Sequence, residues 1–265
     1  MWIDTHCHLD AAEFGFESDA LAASADLLQV STIVIPAVAP ENFAAVRNLA
    51  ARNRNCVYAL GIHPMCVPHA SEADLSELRA AVGIAITDPR FVAIGEIGLD
   101  FFIPALTQSP LRDKQEYFYA EQLRIARDFD LPVLLHVRRS QDIVLKYLRR
   151  IGVQGGCAHA FNGSFQQAES FIKLGFVLGF GGAMTFTRAL QIRRLATQLP
   201  LDAIVLETDA PDIAPSWLHP ARNAPEQIPK IGAVLAELRG LDIEQIARAT
   251  SANARTVLPR LMPLA

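Results

Sequence analysis

A chain of 265 residues with 51% hydrophobic and 20% charged residues has enough apolar side chains for a large folded core, which argues against disorder. Its formal net charge of −4, from 24 Lys plus Arg and 28 Asp plus Glu, excludes a strong overall attraction to DNA or to an anionic membrane. A substrate that carries phosphate must therefore be bound locally, by a metal ion or by a few arginines.

The sequence shows no segment that would direct the chain out of the cytoplasm. The N-terminal residues MWIDTHCHLD lack the basic and apolar regions of a signal peptide, and no run of 18 apolar residues is present. The cysteines are few, have no C-x-x-C spacing and do not suggest a disulfide framework. We therefore expect a cytoplasmic protein with reduced cysteines and no membrane partner.

Short apolar runs alternate with longer amphipathic stretches along the whole chain. The apolar runs predict β-strands at Trp2–Thr5, Thr32–Pro36, Val57–Gly61, Phe91–Gly98, Pro132–His136, Gly155–His159, Phe176–Gly179 and Ala203–Glu207. The amphipathic stretches predict helices at Asp19–Leu28, Glu41–Arg52, Glu72–Val82, Leu111–Asp128, Gln141–Arg150, Phe165–Leu174, Arg188–Leu199, Pro225–Arg239 and Ile243–Ala254.

Strands that are each followed by a helix favour a parallel sheet, and eight of them close a barrel. We therefore predict an α/β protein with a single (β/α)8 TIM-barrel domain over residues 1–265. A doubly wound open sheet is the structural alternative. It would place a glycine-rich phosphate-binding loop after the first strand, where this sequence has HCHLD instead.

Six side chains with metal-binding groups lie at the C-terminal ends of different candidate strands. They are His6 and His8 after the first strand, Glu96 in the fourth, His136 in the fifth, His159 in the sixth and Asp209 after the eighth. Barrel active sites are built at these strand ends, so the six side chains converge if the barrel forms. Imidazole and carboxylate groups suit transition-metal ions, and six ligands suffice for two ions if one carboxylate bridges them.

Each of these residues alone also has a structural explanation. A single histidine is more often a hydrogen-bonded structural residue than a ligand, and Asp209 could cap a turn. Glu96, however, lies in an apolar run, where a carboxylate needs a partner because burying an unpaired charge is costly. The H-x-H spacing places His6 and His8 on one face of a strand. Together the residues favour a metal site, since independent structural explanations would all have to coincide.

Further residues near these strand ends are candidates for substrate binding. Arg138 would share the inward face of His136, where it could bind a phosphate or pair with Glu207. Arg139, the next residue, should face away as a solvated charge. Asn162 lies in a turn whose backbone amides could approach a substrate, or which is an ordinary connection.

Segments that span nearly the whole chain carry more information than the ligands alone. In order they are IDTHCHLD (Ile3–Asp10), GIHP (Gly61–Pro64), GEIGLDF (Gly95–Phe101), LPVLLHVRR (Leu131–Arg139), AHAFNGS (Ala158–Ser164), LETDAP (Leu206–Pro211) and RNAPEQIP (Arg222–Pro229). With these segments the sequence resembles the TatD-related deoxyribonucleases of the amidohydrolase superfamily. The resemblance implies one metal ion at His6, His8 and Asp209, a second at His136 and His159, and Glu96 as the bridge.

This resemblance implies a hydrolase that uses two divalent ions, Zn²⁺, Mg²⁺ or Mn²⁺, to activate a water molecule that cleaves phosphodiester bonds. Asp209 would be the general base, and Glu96 would hold the two ions together. His63 in the GIHP segment would donate a hydrogen bond to a phosphoryl oxygen or support the neighbouring turn. The expected substrate is a phosphodiester, such as a single-stranded DNA end, and no obligate protein partner is indicated.

Two other functions use the same residues. An activated water would equally attack a carboxyl ester, a lactone or an amide, and the ligands do not discriminate between carbon and phosphorus. A non-catalytic binding module is the third interpretation, and the complete set of ligands argues against it. The residues 102–110, FIPALTQSP, follow Glu96 and depart most from the family pattern, which leaves the substrate preference open.

Overall fold

Eight parallel strands follow one another in chain order within one sheet of the computed structural model, which describes residues 1–261. The strands are β1 (Trp2–Asp4), β2 (Val30–Pro36), β3 (Cys56–Leu60), β4 (Phe91–Asp100), β5 (Val133–Arg138), β6 (Gly156–Ala158), β7 (Phe176–Phe180) and β8 (Ile204–Leu206). The helices are α1 (Ser18–Leu27), α2 (Phe43–Arg52), α3 (Glu72–Ala85), α4 (Leu111–Asp128), α5 (Gln141–Ile151), α6 (Phe165–Lys173), α7 (Leu190–Gln198), α8 (Ile228–Arg239) and α9 (Ile243–Val257). The predicted (β/α)8 barrel is confirmed, and the doubly wound alternative is wrong.

The barrel has two separate apolar layers because strand side chains alternate between its faces. The inner layer takes one or more residues from every strand, including Ile3, Val34, Val57, Val92, Leu134, Cys157, Val177 and Val205. Leu258 and Leu261, after α9, join this inner layer and cover one end of the barrel. Val133 and Leu135, the neighbours of Leu134, belong instead to the layer between strands and helices. Burial on both faces explains why the strands appear in the sequence as continuous apolar runs.

The segments that follow β1 and β8 lie beside each other and close the barrel. The backbone N–H of Thr5 donates to the carbonyl oxygen of Leu206 at 3.1 Å, and that of Asp209 donates to His6 at 2.8 Å. The N–H of His8 then donates to Ala210 at 2.8 Å. These bonds extend the parallel pairing beyond the strand ends, so three candidate ligands from opposite ends of the chain become neighbours.

The strand boundaries differ from the predicted ones where the site is built. β4 continues to Asp100 instead of ending at Gly98, and β5 continues to Arg138. The carbonyl oxygen of His136 would lie 2.0 Å from a Cβ at position 98, so only glycine permits this close approach of β4 and β5. Among residues 1–261, no helix combines the length and apolar character needed to cross a membrane.

Candidate metal centre

Glu96 lies at the centre of the histidine cluster, and its two carboxylate oxygens face different groups. Oε2 is 3.2 Å from Nε2 of His6 and 3.2 Å from Nε2 of His8. Oε1 is 2.9 Å from Nδ1 of His136 and 2.8 Å from Nε2 of His159. Glu96 is buried inside the barrel mouth. This single carboxylate contacts imidazoles from three parts of the barrel: the segment after β1, the strand β5 and the segment after β6.

Asp209 lies on the same side of Glu96 as His6 and His8. Its Oδ1 is 3.6 Å from Nε2 of His6 and 3.7 Å from Nε2 of His8. The backbone of Asp209 has a φ of 55°, in the left-handed region that aspartate tolerates better than most side chains. In this conformation its N–H bonds to the carbonyl of His6 while its carboxylate faces the two imidazoles.

Asp100 holds the ring of His136 from the side away from Glu96. Nε2 of His136 lies 3.1 Å from Oδ2 of Asp100, and if it donates to that oxygen the lone pair of Nδ1 is left for a cation beside Glu96. Asp100 also accepts the backbone N–H groups of Phe102 at 2.8 Å and Ile103 at 3.2 Å. Asp100 was not predicted as a site residue because the strand was expected to end at Gly98; its spacing of four residues from Glu96 was the available signal.

His63 enters the cluster as a hydrogen-bond donor. Its Nε2 is 3.4 Å from Oε1 of Glu96 and 3.1 Å from Nδ1 of His136. Its Nδ1 accepts the backbone N–H of Met65 at 3.1 Å, so the proton of the neutral ring is on Nε2. The distances alone would allow His63, Glu96 and His136 to hold a metal, but a protonated Nε2 has no lone pair to offer.

The donor atoms fit divalent cations. Three sets of them are compact enough to hold an ion: His6, His8 and Asp209; His6, Glu96 and His159; His63, Glu96 and His136. Nε2 of His6 lies only 3.2 Å from Nε2 of His8, and similar distances separate the other rings. Hydrogen bonds between these groups satisfy only part of the converging lone pairs, whereas a bound cation satisfies them together.

The model of the TatD related DNase family matches residues 3–259. The chain belongs to this family. It is 39% identical to an Escherichia coli protein named uncharacterized metal-dependent hydrolase YjjV, over 97% of both chains. The crystal structure of YjjV superposes with a TM-score of 0.91, covering 97% of this chain and 98% of that one.

Other relatives carry related names. A Haemophilus influenzae protein named uncharacterized metal-dependent hydrolase is 36% identical, over 96% of this chain and 97% of its own. Human deoxyribonuclease TATDN3 is 28% identical, over 99% of this chain and 96% of its own. The resemblance stated from the sequence motifs is confirmed, and this TatD-family protein is a metal-dependent hydrolase.

The charges in the hydrolase site are strongly coupled. Burial would raise the pKa of Glu96, but His63, His159 and His6 lower it well below its usual value. Burial lowers the pKa of His6 to about 3. Burial acts the same way on His8, but the hydrogen bond to Glu96 and the charges of Glu96, Asp209 and Asp10 together outweigh it and raise that pKa to about 9. Protons and cations therefore compete for the same nitrogen atoms in this hydrolase.

Glu207 lies beside the ligand candidate His159, and the salt bridges of the described residues include none between Glu207 and an arginine, although pairing with Arg138 was one of the two expectations. It is buried, accepts the backbone N–H of Ala160, and places Oε1 3.9 Å from Nδ1 of His159. A Cβ at position 179 would lie 2.0 Å from Oε2 of Glu207, so Gly179 provides the space for this carboxyl. Burial raises the pKa of Glu207 to about 8.

Asp4 joins the two strands that close the barrel. Its carboxylate accepts the backbone N–H of Thr208 at 2.9 Å, the hydroxyl of Thr208 at 2.6 Å and the N–H of His6 at 3.3 Å. Asp4 was not predicted as a site residue, since nothing in the segment IDTHCHLD distinguishes a buried carboxylate from a surface one. Asp4 fixes the backbone that carries His6 against the backbone that leads to Asp209.

The structure corrects two expectations for the arginines after His136. Arg138 lies on the cavity side as predicted, but its nearest carboxylate is Asp100 at 3.8 Å, not Glu207. Arg139 does not face away: it lies over the ring of Phe102 at 4.6 Å and lines the cavity. Its φ of 56° interrupts the alternation of the strand.

A cavity of about 1120 Å³ opens at the C-terminal ends of the strands. It lies over the donor cluster, which consists of His6, His8, Glu96, His136, His159 and Asp209. His8, His63, Glu96, His136, His159 and Asp209 line it, whereas His6 lies beneath them, fully buried. Asn162 is exposed on the wall of the cavity, and its carbonyl oxygen accepts a hydrogen bond from Gln141 at 3.0 Å. The cavity is large enough for a nucleotide-sized substrate.

Proposed function

We propose that this TatD-family hydrolase cleaves phosphodiester bonds, at single-stranded DNA ends or in small phosphodiesters, with two divalent ions. The division of the Glu96 oxygens between two groups of donors carries the proposal. His6, His8 and Asp209 would hold one ion, His136 and His159 the other, and Glu96 would bridge them. Zn²⁺, Mg²⁺ and Mn²⁺ all accept ligands of this kind.

When bound, divalent ions lower the pKa of a water molecule and offset negative charge on phosphoryl oxygens. Asp209 is placed to accept the proton of the attacking water, because its carboxylate is 13% exposed at the floor of the cavity. Burial raises the pKa of Asp209 in the metal-free protein. The hydrogen bond from its backbone N–H to His6 holds this base in place.

His63 is placed to donate a hydrogen bond to a phosphoryl oxygen. The N–H of Met65 keeps the Nδ1 of His63 unprotonated, so the proton is on Nε2, which lies 3.1 Å from Nδ1 of His136 at the edge of the cavity. A cation that occupies the lone pair of His136 would free this N–H for a phosphoryl oxygen. A donor in this position stabilises the charge that develops on the oxygens during attack. Arg138 adds a guanidinium on the wall beside His136, and guanidinium groups can bind a phosphate group of the substrate other than the one under attack in a bidentate manner.

Two observations favour phosphorus over a carboxyl carbon. Guanidinium groups line the cavity next to the donor cluster, and they match phosphate better than an uncharged ester or lactone. Human and mouse relatives that cover nearly all of this chain are named deoxyribonuclease and putative deoxyribonuclease TATDN3. Neither observation depends on which metal ion is bound.

A substrate panel tests the proposal. Protein purified with Zn²⁺, Mg²⁺ or Mn²⁺ is assayed on single-stranded DNA, on bis(4-nitrophenyl) phosphate and on 4-nitrophenyl acetate, beside Glu96→Ala and a surface control, Glu244→Gln. We expect phosphodiester cleavage by the wild type and the control, and nearly none by Glu96→Ala. Ester turnover without any phosphodiester cleavage would overturn the proposal, as would binding of less than one metal equivalent.

A further inference from the structure

The wall of the cavity carries opposite charges on opposite sides. Among the residues that line it in the described part of the chain, Arg138 and Arg139 at the end of β5 are the only lysines or arginines. The acids of the lining outside the donor cluster, Asp10, Glu13, Glu207 and Asp212, follow β1 and β8. Because β5 lies across the barrel from β1, a negatively charged substrate is attracted to one side of the centre and repelled by the other.

The guanidinium groups of Arg138 and Arg139 pack on an aromatic ring and donate no hydrogen bond within residues 1–261. Arg138 lies 3.7 Å and Arg139 4.6 Å from the centre of the Phe102 ring, a distance at which the ring attracts a cation. Phe102 is 44% exposed, so this arrangement is on the open wall and not in the core. The hydrogen bonds of residues 1–261 include none from either guanidinium, which leaves the donors of both available to a ligand.

The arginines are next to the donor cluster but outside it. The shortest contact of Arg138 toward the cluster is 3.8 Å to Asp100, and Asp100 is in turn 3.1 Å from Nε2 of His136. An anion on the arginines is therefore separated from an anion on the donor cluster by at least one side chain. A ligand that carries two neighbouring phosphates could occupy both positions, whereas a single phosphate could not.

We propose that Arg138, Arg139 and Phe102 form a second anion subsite, which binds the phosphate adjacent to the one that is hydrolysed. This inference rests on the proposed phosphodiesterase function and adds the orientation in which the substrate strand is bound. The acids after β1 and β8 disfavour a phosphate on the other side of the centre, so the strand is accepted with its second phosphate on the β5 side alone.

Short oligonucleotides of defined charge test the subsite. The metal-loaded wild type is assayed on the dinucleotide dTpdT, on the trinucleotide dTpdTpdT, and on two trinucleotides in which either linkage is an uncharged methylphosphonate. Chromatography identifies the first products. We expect kcat/KM for one linkage of the trinucleotide to exceed that of dTpdT by about tenfold, which corresponds to about 1.4 kcal/mol. A methylphosphonate at the other linkage should abolish this gain.

Arginine variants identify the groups responsible. In Arg138→Gln and Arg139→Gln, and most clearly in the double variant, the ratio between trinucleotide and dinucleotide should fall toward one. Arg188→Gln removes the same charge from an exposed position after β7, outside the cavity lining, and should keep the full ratio. Thermal unfolding of each variant checks that the barrel is intact.

The outcomes separate the two proposals. If the wild type cleaves dTpdT but shows no gain with the trinucleotide, the phosphodiesterase function stands and the subsite is refuted. A gain that survives the methylphosphonate, or the loss of both arginines, also refutes the subsite, because a base or sugar contact then causes it. If the wild type cleaves none of these substrates, the proposed function itself fails and the subsite fails with it.

Discussion

Asp100 and Glu96 contact opposite nitrogen atoms of one imidazole ring, that of His136. Nε2 donates to Asp100 at 3.1 Å while Nδ1 lies 2.9 Å from Glu96. The ring is therefore held in one orientation between two carboxylates, and with Nε2–H on Asp100 a bound cation would receive the lone pair of Nδ1. A carboxylate in this position also makes the imidazole a stronger ligand.

Removal of the Asp100 carboxylate should weaken cation binding without unfolding the barrel. Asp100→Ala frees the His136 ring, and we expect affinity for the added ion to fall by roughly 10–100-fold. Asp100→Asn keeps an acceptor for Nε2–H and should lose less. Calorimetric titration of metal-free protein with Zn²⁺ measures the affinity, with Glu244→Gln on the surface as control. Unchanged affinity in Asp100→Ala would show that Asp100 serves only the loop after β4.

Glu96→Ala should remove cation binding at both groups of donors, because each group uses one oxygen of this side chain. We expect less than one equivalent of metal and a loss of turnover of at least about 10²–10⁴-fold. Elemental analysis after metal supplementation and gel filtration gives the stoichiometry, and circular dichroism checks the fold. A variant that keeps two equivalents of metal would contradict the bridging arrangement.

His63→Asn should lower turnover while the metal content stays normal, since Nε2 of His63 carries a proton and is not a ligand. Loss of one oriented donor reduces kcat by about 10²–10³-fold in comparable sites. The exposed His69, six residues later, provides a matched control as His69→Asn. If His63→Asn loses metal in proportion to activity, the histidine is a ligand and the assignment of its proton is wrong.

Asp4 should make the stability of the metal-free protein depend on pH. Burial raises the pKa of Asp4 from 3.8 to about 7. The folded state binds the proton of the Asp4 carboxyl more tightly than the unfolded state does. The contribution of this proton to the free energy of unfolding is therefore fully present below pH 4 and is lost as the pH rises through 7. Asp4→Asn cannot ionise and should escape this loss.

Urea denaturation with a chelator at pH 5 and pH 8 measures the effect. Between pH 5 and pH 8 the wild type should lose roughly 3 kcal/mol of its free energy of unfolding relative to Asp4→Asn, since one pKa unit is about 1.4 kcal/mol. The two proteins share the same histidine cluster, so the difference isolates residue 4. A difference that is the same at both pH values would refute the prediction.

Much of the candidate site could be predicted because its information is local in the sequence. His6, His8 and His136 follow apolar runs of strand length, and the C-terminal ends of parallel strands meet at one end of a barrel. Glu96 was recognisable as a carboxylate within such a run. The boundaries were the weak point: ending β4 at Gly98 placed Asp100 in a loop and hid its contact with His136.

By itself the sequence determined the number and kind of elements, the barrel they form and the inventory of donor groups, since hydrophobic periodicity and side-chain chemistry are properties of short segments. The tertiary structure alone decided that each Glu96 oxygen faces its own set of histidines, that Glu207 lies beside His159, and that Arg139 turns onto Phe102. These contacts depend on the register between strands and on single residues with a left-handed backbone. The alternation of apolar and polar side chains along a strand encodes neither of them.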